Sequence, residues 1–280
     1  MMEQTLTSTE RKDKAEKSII KKFRKELFSK FTKAIKTYRL IEDGDRIAVC
    51  ISGGKDSMLM AKLFQELLRH GEQNFTVRFL VMDPGYNADN RALIEANAAL
   101  LDIPITIFDT DIFGTVEAIP DNPCYLCARM RRGNLYAQAK EMGCNKIALG
   151  HHYDDVIETI LMSMLHSGQV QTMMPKLHST NFEGMELIRP LYLIREEDII
   201  RWSEYNDLHF LRCACKLTAD EADGIHAGKR LETKALIREL KEKNPYVEGN
   251  IFKSMENVHL ATVVAYKDAE GKRHHFLDDY

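Results

Sequence analysis

Residues Ile47 to Ser57 read Ile-Ala-Val-Cys-Ile-Ser-Gly-Gly-Lys-Asp-Ser, and this stretch leaves the chain little choice of architecture. Its β-branched apolar run predicts a strand buried on both faces, as in a parallel sheet. The run stops at Ser52-Gly53-Gly54-Lys55-Asp56-Ser57, and Met58-Leu59-Met60-Ala61-Lys62-Leu63-Phe64 then continues as a helix. A strand turning through glycines into a helix N-terminus offers backbone N–H groups and a positive dipole end to an anion, typically phosphate. Gly53 and Gly54 permit close approach and positive φ. Ser52 and Ser57 add hydroxyls, and Lys55 adds a point charge. The spacing departs from Gly-x-x-x-x-Gly-Lys-Ser/Thr. An ordinary strand-to-helix turn is the plain alternative, and the flanking strand and helix favour the phosphate reading.

The rest of the chain repeats the same alternation. Strands are expected at Arg46 to Ile51, Thr76 to Met82, Ile103 to Phe108, Lys146 to Leu149 and Leu187 to Leu191. Helices fall between them, including one from about Cys127 to Met142 and one from about Asp154 to Leu165. This predicts an α/β fold, a parallel five-stranded sheet with helices on both faces. Three segments are expected. Residues 1–40 form a basic amphipathic helix, whose apolar stripe is Ile19, Ile20, Phe23, Leu27, Phe31 and Ile35. Residues 41–215 form the nucleotide domain. Residues 216–280 form a C-terminal extension of helices and a β-hairpin, with its turn at Asp268-Ala269-Glu270-Gly271.

No apolar run approaches the roughly 20 residues that span a bilayer, so no membrane role is expected and the cytoplasm is the expected location. A net charge of −3 excludes a uniformly basic coat. Contact with RNA must then come from local clusters such as Lys21, Lys22, Lys25, Lys30 and Lys33, for which a solvated polar face is the equal alternative.

Gly150-His151-His152-Tyr153-Asp154-Asp155 forms a second strand-to-helix junction. Ligands of open parallel sheets sit beyond the carboxyl ends of strands, where strand order reverses, so the two junctions are expected to line one crevice. Gly150 allows close backbone approach. Asp154 or Asp155 is expected to orient Mg²⁺, directly or through water, with the choice between them left open; an ordinary helix N-cap is the plain alternative.

The six cysteines divide by position. Cys50 lies within a strand and Cys144 at a helix end, which reads as core. Cys124-x-x-Cys127 opens a helix carrying Arg129, Arg131 and Arg132, where thiolates are favoured and ready for metal or sulfur. Cys213-x-Cys215 would complete a site. Cys-x-Cys suits two ligands less well than Cys-x-x-Cys, which favours three cysteine ligands. On a 4Fe–4S cluster three ligands leave one iron open for sulfur chemistry. Structural zinc is the rival.

Together these residues resemble the tRNA 2-thiocytidine synthases, a branch of the PP-loop ATP pyrophosphatases. The resemblance runs from about Leu40 to Val258. It rests on Ser52–Ser57, Cys124-x-x-Cys127, Arg129-Met130-Arg131-Arg132-Gly133-Asn134-Leu135-Tyr136 and Gly150-His151-His152-x-Asp154-Asp155. It continues through Met174-Pro175-Lys176-Leu177, Ile188-Arg189-Pro190-Leu191, Arg195-Glu196-x-Asp198-Ile199 and Cys213. The family often carries Cys-x-x-Cys where this chain has Cys213-x-Cys215. The resemblance implies the adenine nucleotide alpha-hydrolase-like fold, with ATP and Mg²⁺ held by Ser52, Gly53, Gly54, Lys55, Asp56, Ser57, Gly150 and Asp155. Lys55 and Asp56 are then the candidate catalytic groups, and Cys124, Cys127 and Cys213 the ligands of a 4Fe–4S cluster. It implies adenylation of the C2 oxygen of an anticodon-loop cytidine (position 32 in the family) and its replacement by sulfur. The implied partners are tRNA and a sulfur donor such as a cysteine desulfurase, while a homodimer stays open. Rival readings are a lysidine or 2-thiouridine synthase, a zinc-stabilised RNA-binding protein and a redox sensor.

Overall fold

A computed structural model describes residues 7–71, 73–117, 123–211, 228–278 and 280 of the chain. Two compact units divide it, residues 1–156 with 173–227, and residues 157–172 with 228–280.

The first unit is built on a six-stranded sheet. Its strands are β1 (Arg46–Ile51), β2 (Thr76–Asp83), β3 (Ile105–Asp109), β4 (Lys146–Ala148), β5 (Lys176–His178) and β6 (Glu186–Ile188), in the order β3-β2-β1-β4-β6-β5. β1 is central, buried along all but its first residue, and pairs in parallel with β2 and β4. The chain leaves β1 toward β2 and β3, then returns to β4 on the other side. The strand order therefore reverses between β1 and β4, where a ligand crevice forms at the carboxyl ends. The strand expected at Leu187 to Leu191 pairs only over Glu186–Ile188. One strand was not expected: β5 pairs antiparallel with β6, so the sheet has six strands, five of them parallel. At three residues, β5 is too short to show an alternating pattern.

The helices are α1 (Ser8–Ile20), α2 (Phe28–Tyr38), α3 (Lys55–His70), α4 (Ala88–Leu100), α5 (Ile112–Glu117), α6 (Pro123–Glu141), α7 (Tyr153–Ser167) and α8 (Glu196–Tyr205). The single N-terminal helix is corrected to two, joined by a wide turn over residues 21–27. There Phe23 N donates to Ser18 O and Ser29 N to Arg24 O, both at 2.8 Å and five residues back. The apolar spacing explains it. Ile19, Phe23, Leu27, Phe31 and Ile35 recur every four residues, and on an α-helix each such step drifts by about 40°. Wider i→i−5 turns offset that drift, and all five side chains reach the core. Lys62 of α3, fully buried, fastens α1 through Glu16 at 2.7 Å. At the opposite edge from the crevice, Lys146 Nζ lies 2.7 Å from Asp45 and 3.0 Å from Glu186, joining β4, β6 and the entry to β1.

The second unit contains most of α7, then α9 (Lys229–Lys243) and α10 (Val247–Ser254). Ile157, Ile160, Ile237 and Phe252 are buried there, and Lys241 pairs with Glu248 at 2.9 Å. The hairpin is β7 (Ala265–Lys267) with β8 (Arg273–His275). Its turn lies at the expected residues: Gly271 has φ +80° and its N–H donates to Asp268 O.

Candidate active site

The phosphate-type loop lies at the carboxyl end of β1, and its serines are engaged within it. Ser57 Oγ accepts from Ser52 N at 3.1 Å and donates to Gly54 O at 2.9 Å, while Ser52 Oγ lies 3.3 Å from Ser57 Oγ. These bonds hold the turn that presents the first N–H groups of α3. Gly53 has φ +83°, and a Cβ there would fall 2.5 Å from Ile94 Cγ1. Only glycine meets both constraints.

Lys55 and Asp56 open α3. Lys55 Nζ lies 3.1 Å from Asp56 Oδ1 and 3.1 Å from Glu196 Oε1. Burial pulls the Lys55 pKa down, but the two carboxylates outweigh it and raise it. Asp56 shows the opposite balance. Burial pushes its carboxyl up more than His152 and Lys55 pull it down. Asp56 Oδ1 is buried and, though close to the Lys55 ammonium, accepts no hydrogen bond among the described residues. Glu196 is the residue that sequence reasoning left without a role. Its only signal was an acid at the first position of a helix following a strand of the same edge.

Gly150 brings the end of β4 onto this loop. A Cβ there would lie 3.3 Å from Ser57 N and 3.4 Å from Asp56 C, so its bareness lets two strand ends close on each other. The two aspartates after it anchor helices. Asp155 Oδ2 accepts from His152 N at 2.9 Å, and His152 Nδ1 accepts from Asp155 N at 3.4 Å, a reciprocal cap on α7. His152 Nε2 lies 3.9 Å from Asp56 Oδ1. Asp154 Oδ1 takes Arg195 Nη2 at 2.9 Å, and its Oδ2 takes Glu196 N at 2.7 Å, fixing the start of α8. Asp83, at the end of β2, closes a turn through Gly85 N and Tyr86 N.

A cleft of about 820 Å³ opens beside the loop, lined by Ser52, Gly54, Lys55, Asp56, Phe210 and Leu211 among others. Leu211 N donates to Gly53 O at 3.2 Å, so the segment two residues before Cys213 lies along the loop. α6 is tied to it by another route. Arg131 Nη2 donates to Tyr86 OH at 3.4 Å, and Tyr86 OH to Ser52 O at 3.5 Å. On α6, Cys127 packs with Leu126 and Met130 against Met82, Ile112 and Val116. Cys124 stands in the first turn of α6, its side chain outside the described set. Cys213 and Cys215 lie outside the described residues.

Residues 23–215 match the PP-loop domain family. The tRNA-cytidine(32) 2-sulfurtransferase of Alkalilimnicola ehrlichii is 38% identical over 239 residues, covering 83% of this chain and 74% of its own. That of Coxiella burnetii is 38% identical over 247 residues, covering 85% and 91%. The chain belongs to the tRNA-cytidine(32) 2-sulfurtransferase family of PP-loop proteins. A U34-tRNA thiolase from Methanococcus maripaludis, solved with its [4Fe-4S] cluster, has the same fold, with a TM-score of 0.64 at 24% identity over 82% of this chain and 78% of that one.

The sequence resemblance implies two bound groups, Mg²⁺ and a 4Fe–4S cluster. Among the described residues no three His, Cys, Asp or Glu side chains converge on a point. Mg²⁺ needs no such cage, since it is commonly held by one or two carboxylates plus substrate phosphates. The unsatisfied Asp56 Oδ1 fits that role. Cysteine donors suit an iron–sulfur cluster. Cys50 does not: burial, with Cys144 nearby, pushes its thiol up to about 12, so it stays protonated at neutral pH.

Proposed function

We propose that this chain thiolates tRNA, converting cytidine 32 to 2-thiocytidine at the expense of ATP. The observation that carries the reading is the position of the Gly53-Gly54-Lys55 loop at the switch point of the sheet, in a chain 38% identical to curated tRNA-cytidine(32) 2-sulfurtransferases. The C2 oxygen of the base attacks the α-phosphate of ATP, and the bond to the β-phosphate breaks. Pyrophosphate leaves into the loop, where the α3 amides and Lys55 neutralise its charge. Lys55 must then exchange a carboxylate for phosphate. Asp56 would hold Mg²⁺ through Oδ1. Sulfide adds at C2 and AMP departs with the former carbonyl oxygen. Cys124, Cys127 and Cys213 would hold a 4Fe–4S cluster, whose chemistry when bound is to present that sulfur.

Residues 41–215 are the catalytic part in this reading, flanked by 1–40 and 216–280. Exposed Lys21, Lys22, Lys25, Lys33 and Lys36 supply contacts to the RNA backbone. A cysteine desulfurase is the proposed sulfur source, a homodimer the proposed assembly, and the reducing cytoplasm the proposed location. Among the described residues no helix is long and apolar enough to cross a membrane. Anaerobically purified protein given tRNA, Mg·ATP and sulfide should form 2-thiocytidine, with one AMP and one pyrophosphate per base. Active protein that holds zinc and no iron would overturn the cluster assignment, and product at uridine would overturn the substrate.

A further inference from the structure

Arg189 follows β6 at the carboxyl edge of the sheet, and it is a buried cation with no acid in direct contact among the described residues, Asp155 acting on it only from beyond ion-pair distance. Only 7% of the residue is exposed. Its Nη1 donates to Met174 O, and its Nε donates to His151 Nδ1 at 3.4 Å. No carboxylate of a described residue lies within ion-pair distance, and Nη2 donates to none of the described residues. Burial, joined by the charge of Arg132, pulls its pKa down to about 10. Taking an unpaired guanidinium out of water is costly, and a neutral donor would serve the Met174 carbonyl as well. Placing a second cation beside it raises that cost. The arrangement becomes favourable when an anion joins the two.

The surroundings say where that anion would sit. His151 is the residue after Gly150, whose backbone packs on Asp56 and Ser57 at the head of α3. Leu149 N donates to Ile188 O, so the ends of β4 and β6 run side by side and bring His151 and Arg189 together. Arg132 comes from α6, the helix that carries Cys124 and Cys127. The bond from Arg189 uses His151 Nδ1 as its acceptor and so fixes the imidazole beside the guanidinium. Arg189 and His151 therefore meet beside the nucleotide loop, and the charge of Arg132 acts on Arg189 from the cysteine helix.

We propose that Arg189, His151 and Arg132 form a second phosphate subsite of this crevice. It takes a phosphate oxyanion of the substrates, and so rests on the proposed reading of the site. Two sources share that chemistry, the phosphate chain of ATP and a phosphodiester of the RNA beside the target base. Arginine suits either, since its planar fork matches phosphate oxygens.

The test compares full-length wild type with Arg189→Met, Arg189→Lys and Arg132→Gln. Three quantities are read: the melting temperature without ligand, the affinity for Mg·ATP, and the affinity for tRNA across a salt series. Arg189→Met should melt no lower than wild type, because it removes an unpaired buried charge, yet bind one ligand about tenfold or more weakly. Arg189→Lys should recover part of that affinity. Arg132→Gln should weaken the same ligand by a smaller factor. Loss confined to Mg·ATP assigns the subsite to the nucleotide. Loss for tRNA, with the slope of log K against log salt flattened by about 0.7 to 0.9, assigns it to an RNA phosphodiester. Affinities within twofold of wild type for both ligands in Arg189→Met overturn the proposal, whatever the melting temperature. Should that variant not fold, unchanged affinities in the exposed Arg132→Gln variant overturn it. Wild-type protein that binds both ligands without forming 2-thiocytidine would refute the proposed function and leave this subsite standing.

Discussion

Lys55 Nζ lies 3.1 Å from Glu196 Oε1, so the first residues of two helices, 141 positions apart in sequence, meet across the phosphate loop. The cation proposed to meet phosphate is already shared by Glu196 and Asp56. Lys55→Ala should lower ATP-dependent thiolation by roughly a hundredfold or more while the fold persists. Glu196→Gln should tighten Mg·ATP binding by about fivefold, because one partly exposed ion pair no longer competes. Titration calorimetry on both variants reads this directly.

Asp56 makes a stability prediction of opposite sign to its catalytic one. Burial raises its folded pKa above 3.8, so the folded state holds this proton more tightly than the unfolded chain. Its contribution to stability therefore grows as pH falls through the raised folded pKa toward 3.8, and is smallest at neutral pH. Asp56→Asn should be inactive at pH 7 yet melt higher than wild type, the gap closing as pH falls through that window. Equal melting at all pH values would refute the burial argument.

The two glycines differ in what a methyl group would meet. At Gly150 the neighbours are backbone atoms of Asp56 and Ser57 at 3.3 to 3.4 Å, which can give only slightly. Gly150→Ala should cost about 1–2 kcal/mol and lower Mg·ATP affinity by shifting the head of α3. At Gly53 the positive φ adds strain to a 2.5 Å clash with Ile94, and Gly53→Ala should cost more. Urea denaturation of both orders the pair.

Glu16 holds the buried Lys62 at 2.7 Å and Arg69 at 3.1 Å, docking α1 on α3. Burial lowers the Lys62 pKa, and Glu16 is the first group that opposes it. Glu16→Gln should destabilise the protein by about 1–3 kcal/mol, since the buried ammonium loses its paired carboxylate and keeps only neutral acceptors at Gln65 Oε1 and Leu101 O. Adding Lys62→Met should restore much of that loss. A double-mutant cycle in urea measures the coupling.

Cysteine substitutions should fall into two groups. Cys124→Ala, Cys127→Ala and Cys213→Ala should each lose iron and thiolation, and Cys215→Ala less of both. Cys50→Ala and Cys144→Ala should keep both, with a packing cost of order 1 kcal/mol. Iron content and visible absorbance of anaerobic protein, with 2-thiocytidine in tRNA, score all six.

What the sequence determined alone was whatever rests on neighbours along the chain. Strand β1, the turn at Ser52–Ser57 and helix α3 are contiguous, so apolar run, glycines and helix formers specify them locally. The four-residue spacing from Ile19 to Ile35 also carried the break between α1 and α2, for a reader who compares four with the 3.6-residue period. The tertiary structure alone decided which distant groups share the crevice. Asp154 is legible as a helix-start residue, but its engagement with Arg195 and Glu196 N follows from where α8 returns to the sheet. The meetings of Leu211 with Gly53, of Arg131 with Tyr86 and of Arg189 with His151 depend on strand order and on how helices cross the edge. Charges and hydrogen bonds act over a few ångströms of space. Local pattern constrains that space only along one chain segment, and packing sets it everywhere else.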